Sequence, residues 1–560
     1  MDKYARMLVL WGVIVSAFYF ALTQKVYGLE ESTGPGGSNS AAVHQLGITG
    51  EGVNVGLILS RNVRTTHEAF KDGNGVSHAF NYDFTDSCGI SIIAHDTQLA
   101  GIIASRGGAA YPNDIGVAPG ADIYCARVAN DSGSISSTWF VNALDDLIKN
   151  RHCRVIVTGF ELTGIDPNGD NPWTRLYDYY SYQYGVTFIN AAGNENTYVA
   201  IFGDAYNGIT TGGLRLNDPN NQYEYRMVGS SSGSGPTTDG RRKPDITAPS
   251  QSQTVPTSSS DTAWTTIGSA GGETSWAIPQ AAGAAALLVE LADTTPGPND
   301  NNSNVIKAII VNSTMPNVKN KAGVSTNPAD PCNTWHKDRG YGRLDCLRAY
   351  QLLNTNEVES GTIITQDRGW GLGNIAQGAT DIYTIHISVR CRLIATTTWP
   401  RRIAWVDKKT GWPPKGDGIV QLDELTGYLA NLDMAVYSPY DSNAIFNRTM
   451  FGYDENDNLI KCDLPIFTPG DYTIAISNNS TTSETANYGF AFELHPIMTD
   501  DLPPIDYIIG YSDLLTLAQN WLVEGTYIDT LLSPNGVIDF ADFAILAQDW
   551  LQIDPFYYQY

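Results

Sequence analysis

Three short stretches set a polar side chain at the boundary of an apolar element: HDTQLAGIIAS (95–105), NAAGNEN (190–196) and GGETSWAIPQAAGAAALLVELA (271–292). They offer an imidazole at His95, a carboxamide at Asn194 and a hydroxyl at Ser275. An imidazole exchanges a proton near neutral pH, and a carboxamide donates hydrogen bonds. A hydroxyl becomes a nucleophile when a base takes its proton. Singly, each has a structural reading: a helix-opening histidine, a turn asparagine, an N-cap serine. Only the elements that position them can bring the three together.

Those elements alternate from 40 to 355. VNVGLIL (53–59), ADIYCARV (121–128), RVIVTGF (154–160) and VTFINAA (186–192) are short apolar runs, the pattern of strands buried on both faces. TQLAGIIAS (97–105), SSTWFVNALDDLIKN (136–150) and TRLYDYYSYQY (174–184) are helical. The alternation predicts an α/β unit, a parallel sheet flanked by helices, with its site at the carboxyl ends of the strands. From 360 to 497 the texture changes to β-rich runs split by Gly, Asn, Asp and Pro: DIYTIHIS, CRLIATTTW, LDMAVYS and DYTIAIS. This predicts an antiparallel β-sandwich. Within 505–553, SDLLTLAQNWL (512–522) recurs as ADFAILAQDWL (541–551). That repeat predicts a small helical pair, with Asp513 and Asp542 opening each helix.

A chain of 560 residues has room for two to four such units. The net charge of −25 argues against a nucleic-acid partner, which needs basic surface to neutralise its phosphates. Lys3 and Arg6 precede the apolar run MLVLWGVIVSAFYFALT (7–23), and Gly28 stands at a cleavage-type position. Residues 1–28 therefore read as a signal peptide, in preference to a membrane anchor. The expected mature form is secreted or extracytoplasmic and carries no membrane span. Of seven cysteines, Cys332 with Cys346 and Cys391 with Cys462 are candidate disulfides, while Cys125 and Cys153 lie in apolar runs as buried thiols. No CxxC spacing occurs, so no zinc site is expected.

Taken in order, six stretches resemble the subtilase family of serine proteases. HDTQLAGIIAS is similar to that family's HGTHVAGTIA, IGVAPGADIYCARV (115–128) to its GVAPGA strand entry, and NAAGNEN to its asparagine loop. SSSGSGPTTDGRRKPDITAPS (230–250), ETSWAIPQAAGAAALL (273–288, against GTSMASPHVAGAAALL) and GYGRLDCLRAY (340–350) complete the set. The resemblance implies a subtilisin-like fold, with Ser275 as nucleophile, His95 as its general base and Asn194 as donor to the oxyanion. Gly159, Phe160 and Glu161 stand where the family's substrate-binding Ser-Leu-Gly strand is expected. The substrate would be a protein or peptide, and no cofactor is required.

The departures are as specific as the matches. The family's first strand ends V-I-D-[ST]-G, and that Asp orients the histidine; here Leu59 holds the place and Arg61 replaces the Gly. Asp96 and Gln98 replace the Gly and second His after His95, Glu273 replaces the Gly before Thr-Ser, and Gln280 replaces a His. Asp83, Asp86 and Asp96 are candidate substitutes for the missing acid, with Asp96 disfavoured because a sequence neighbour of His95 is expected to point elsewhere. Two functions follow: a secreted serine endopeptidase with weak or relocated acid assistance, or an inactive pseudoprotease that serves as a binding module. The sandwich resembles the jelly-roll-like domain that follows some subtilase domains. Its segment DGIVQLDE (417–424) has half the spacing of a calcium loop, but Pro413 and Lys415 occupy ligand positions, so a solvated acidic loop is expected. SPNGVIDFADFAILAQDWL resembles a dockerin, which would imply a cohesin-like partner; Leu531 at the first ligand position argues against calcium there.

Overall fold

The computed structural model describes residues 29–496, apart from 88–90, 196, 219–221, 270, 296, 298, 327–333, 406–424, 449–455 and 483–484, together with Leu517. The N-terminal segment 1–28, the acidic loop 417–424, Cys88, Cys332 and all but one residue of the C-terminal repeat lie outside the described residues.

The four apolar runs are strands, as expected: β1 Asn54–Leu59, β3 Asp122–Arg127, β4 Val155–Thr158 and β5 Thr187–Ala191, with β2 Ala79–Asp83 added before β3. They continue into β6 Ile209–Asp218, β7 Gln222–Val228 and β8 Ile246–Pro249. The sheet order is β2-β3-β1-β4-β5-β6-β7, with β8 beside β6. All these pairs are parallel except β6 with β7. Chain order reverses on either side of β1, so its carboxyl end opens a crevice between β3 and β4, where α/β sheets place their ligands.

Helices cover the faces: α1 Ala94–Ala104, α2 Ser137–Asp145, α3 Pro172–Tyr184, α4 Ile278–Thr294, α5 Ser303–Asn312 and α6 Cys346–Leu353. The helix expected over 136–150 is α-helical only to Asp145 and finishes as a π turn, Asp146–Asn150. In α3, Asn171 caps the Thr174 N–H, Pro172 fits the first turn, and Gly185 ends the helix at φ +68°. Helix α4 is apolar around most of its circumference because it runs through the core, packed on α1 and on β4 and β5. Its Gly283 permits the close approach of Val117, whose Cβ would lie 2.4 Å from an added methyl.

Among the described residues beyond Glu357 the chain forms two facing sheets and a two-stranded hairpin, Arg402–Trp405 with Leu425–Tyr428. One facing sheet holds Ile363–Ile364, Thr380–Ile387, Gly470–Asn478, Leu432–Tyr437 and Ala444–Asn447. The other holds Arg368–Ile375, Ala486–Pro496, Cys391–Thr398 and Leu459–Ile466. Cys391–Thr398 is buried at every position, because one face meets the opposite sheet and the other meets α5. Apolar side chains of both units therefore belong to one continuous core. A polar seam fastens it: Arg348 pairs with Glu493 at 3.0 Å, both buried, and Lys461 donates to the Val311 and Asn312 carbonyls. The disulfide expected between Cys391 and Cys462 is absent. Both are buried, and Cys462 stands opposite Ala395 while Cys391 stands opposite Ile466, four residues along the ladder. Cys125, Cys153 and Cys346 are buried free thiols.

Candidate active site

The crevice at the end of β1 collects residues from five elements. Leu59 closes β1, fully buried. Opposite it, Gly159 follows β4, and a methyl there would lie 2.7 Å from both Leu59 Cδ2 and Leu99 Cδ1. The end of the first strand is thus an apolar contact, with no carboxylate contributed by β1.

The carboxylate comes from α1 instead. His95 is the second residue of that helix, and its Nδ1 lies 2.9 Å from Asp96 Oδ1. The expectation that the adjacent aspartate points elsewhere is corrected. Asp96 is completely buried, and its Oδ2 accepts from the Arg61 backbone N–H at 2.8 Å and from Ser60 Oγ at 3.3 Å. The loop leaving β1 therefore holds the carboxylate from behind while the imidazole meets it from the front. A carboxylate only accepts, so Nδ1 carries the proton and Nε2 presents its lone pair. The other two candidates are committed elsewhere or turned to solvent: Asp83 accepts from Arg127 and from Thr85, and Asp86 is exposed.

Ser275 lies in a one-turn 3-10 helix, Thr274–Trp276, just before α4. Two glycines with left-handed backbone, Gly271 and Gly272, bring the chain to that turn; a side chain on Gly272 would strike the Gly229 backbone at 2.7 Å. Asn194 follows β5. Its Oδ1 accepts from the Thr274 N–H at 2.8 Å and from Thr274 Oγ1 at 3.1 Å, which fixes the amide and leaves Nδ2 free to donate. Trp276 packs against the His95 ring at 5.1 Å between centroids.

His95, Asn194 and Ser275 line one cavity of about 190 Å³ together with Thr158, Gly159, Phe160 and Glu161. All six residues singled out in the sequence meet there. Among the described residues no hydrogen bond joins Ser275 to His95; such contacts commonly tighten only when substrate is bound. Burial pushes the Glu161 carboxyl up, the nearby Glu195 adds to the shift, and the Asn194 backbone N–H opposes it. Among the described residues no group of three His, Cys, Asp or Glu side chains could hold a metal ion.

A family model described as the subtilase family matches residues 50–343, slightly more than half of the chain. The chain belongs to the subtilase family. Subtilisin NAT of Bacillus subtilis subsp. natto is 28% identical over 269 residues, 47% of this chain and 60% of that protein. The human membrane-bound transcription factor site-1 protease is 26% identical over 328 residues, 56% of this chain and 26% of that protein. The chain thus spans about 60% of the length of the subtilisins it matches first. Among solved structures, a cold adapted subtilisin-like serine proteinase shares 22% identity, with a TM-score of 0.37 over 50% of this chain and 88% of its own. The matched segment of this subtilase contains His95, Asn194 and Ser275, and excludes the sandwich and the terminal repeat.

Sequence reasoning missed the Trp276 contact and the use of Thr274 to orient Asn194. The His95–Asp96 contact had a signal: two departures from the family pattern, Leu59 for an acid and Asp96 for a glycine, are complementary in charge.

Proposed function

We propose that this subtilase is a serine endopeptidase whose triad acid has moved from the first strand to Asp96, with Leu59 in the vacated place. The hydrogen bond from His95 Nδ1 to the buried Asp96 carboxylate carries the reading. In the reaction, Ser275 Oγ attacks the peptide carbonyl carbon and gives its proton to His95 Nε2. Asp96 holds the Nδ1–H and stabilises the imidazolium. The Asn194 Nδ2 donates to the oxygen that becomes negative, a contact worth roughly 10²–10³ in turnover. His95 then protonates the leaving amine, and the acyl-enzyme on Ser275 is hydrolysed by a water that His95 deprotonates. No metal or cofactor enters these steps.

The protein would act outside the cytoplasm, exported by residues 1–28, on protein or peptide substrates. Residues 505–553 would tether it to a cohesin-like partner. The apolar packing of Leu59 favours one rival, a pseudoprotease that keeps the fold for binding. Hydrolysis of an unfolded protein such as casein by the purified chain separates them. The endopeptidase reading expects cleavage that disappears in Ser275→Ala; a folded wild-type protein with no cleavage above that variant contradicts it.

A further inference from the structure

Glu161 is a carboxylate in the wall of the cavity that holds Ser275 and Asn194. It stands where the loop after β4 faces the loop after β5. Its Oε2 would lie 3.1 Å from a methyl on Gly193, so the glycine leaves room for it. The Asn194 backbone N–H holds the carboxylate from that side, and Glu195 adds a second negative charge close by. Glu161 is half-buried, and among the described residues it forms no ion pair. A desolvated carboxylate beside a like charge, without a cation, gains by receiving one.

In a bound peptide the carbonyl under attack sits between Ser275 and Asn194. The side chain on the same residue is one carbon away and enters the same cavity. We infer that Glu161, supported by Glu195, selects substrates with lysine or arginine on the amino side of the scissile bond. The net charge of −25 assists by drawing cationic peptides toward the surface. This rests on the endopeptidase reading above.

Two peptidyl phosphonate esters, identical but for an arginine or a phenylalanine side chain next to the phosphorus, test it. The rate of Ser275 modification is read by intact mass. A charge-assisted contact corresponds to roughly tenfold or more in favour of the basic probe. Glu161→Gln should remove most of that ratio, and Glu161→Lys should turn the preference toward a glutamate-bearing probe. A wild-type ratio at or below one overturns the inference, as does a ratio that survives Glu161→Gln. In both cases a small fluorophosphonate still modifies Ser275, so the endopeptidase reading stands. If that reagent also fails on folded protein, the reading and the inference fall together.

Discussion

Asp96→Asn is the sharpest perturbation of the site. The Asp96 carboxylate has two jobs: Oδ2 accepts from the Arg61 N–H at 2.8 Å, and Oδ1 meets His95 Nδ1 at 2.9 Å. A carboxamide has one oxygen. The Arg61 backbone amide cannot turn away, so it keeps that oxygen and the NH₂ faces His95. Nδ1 must then accept, the proton moves to Nε2, and the base has no lone pair for Ser275. Such a tautomer trap lowers turnover by roughly 10⁴. In subtilisin, a relative, loss of the triad acid costs roughly 3 × 10⁴, about 6 kcal/mol of transition-state stabilisation. The expected result is therefore a fall in kcat of about 10⁴ with KM changed only a few-fold. Because the Arg61 contact survives, stability should drop by no more than about 1 kcal/mol. Hydrolysis of a chromogenic peptide gives the kinetics, thermal melting gives the stability, and the ¹⁵N shifts of the His95 ring report the tautomer. A kcat within tenfold of wild type would refute the reasoning and leave Asp96 as a cap for the Ser60–Arg61 loop.

Other consequences follow from the same contacts. Asn194→Ala should lower kcat by roughly 10²–10³ through loss of the oxyanion donor, with a melting shift worth about 1 kcal/mol because the Thr274 N–H loses its acceptor. Gly101→Ala would ordinarily favour a helix, yet its methyl would fall 2.4 Å from the Pro256 ring; the expected outcome is about 1–3 kcal/mol lower stability by denaturant titration. His495, buried in the seam between the two units, is held down to about 4 by burial and by Arg348 and Arg368, against the pull of Glu493. Its charged form is disfavoured in the fold, so the unfolded chain binds the proton first. Stability is full above about pH 6.5 and declines as pH falls toward 4, by about 3 kcal/mol across the window. Thermal melts at pH 7 and pH 5 should show that decline in wild type and a smaller one in His495→Gln.

The strands and helices that build the site were legible because burial on both faces of a parallel sheet writes continuous apolar runs, such as 53–59 and 186–192. The positions of His95, Asn194 and Ser275 were legible because each stands at an element boundary in a recognisable stretch. The acid was not. Whether Asp96 reaches His95 depends on the first turn of α1 and on two donors, Ser60 and Arg61, that lie 35 and more residues earlier. The expected Cys391–Cys462 bridge failed for a similar reason: membership of one sandwich does not set the register between two strands. The burial of both faces of Cys391–Thr398 was likewise hidden, since it depends on α5 of the other unit.

Covalent labelling of the purified protein with a fluorophosphonate, localised by mass spectrometry, tests the central claim most directly. A nucleophile activated by His95 and Asp96 predicts one adduct, on Ser275, absent in Ser275→Ala and His95→Ala and strongly slowed in Asp96→Asn. A folded wild-type protein that takes no label, or one that labels equally fast without His95, would contradict it.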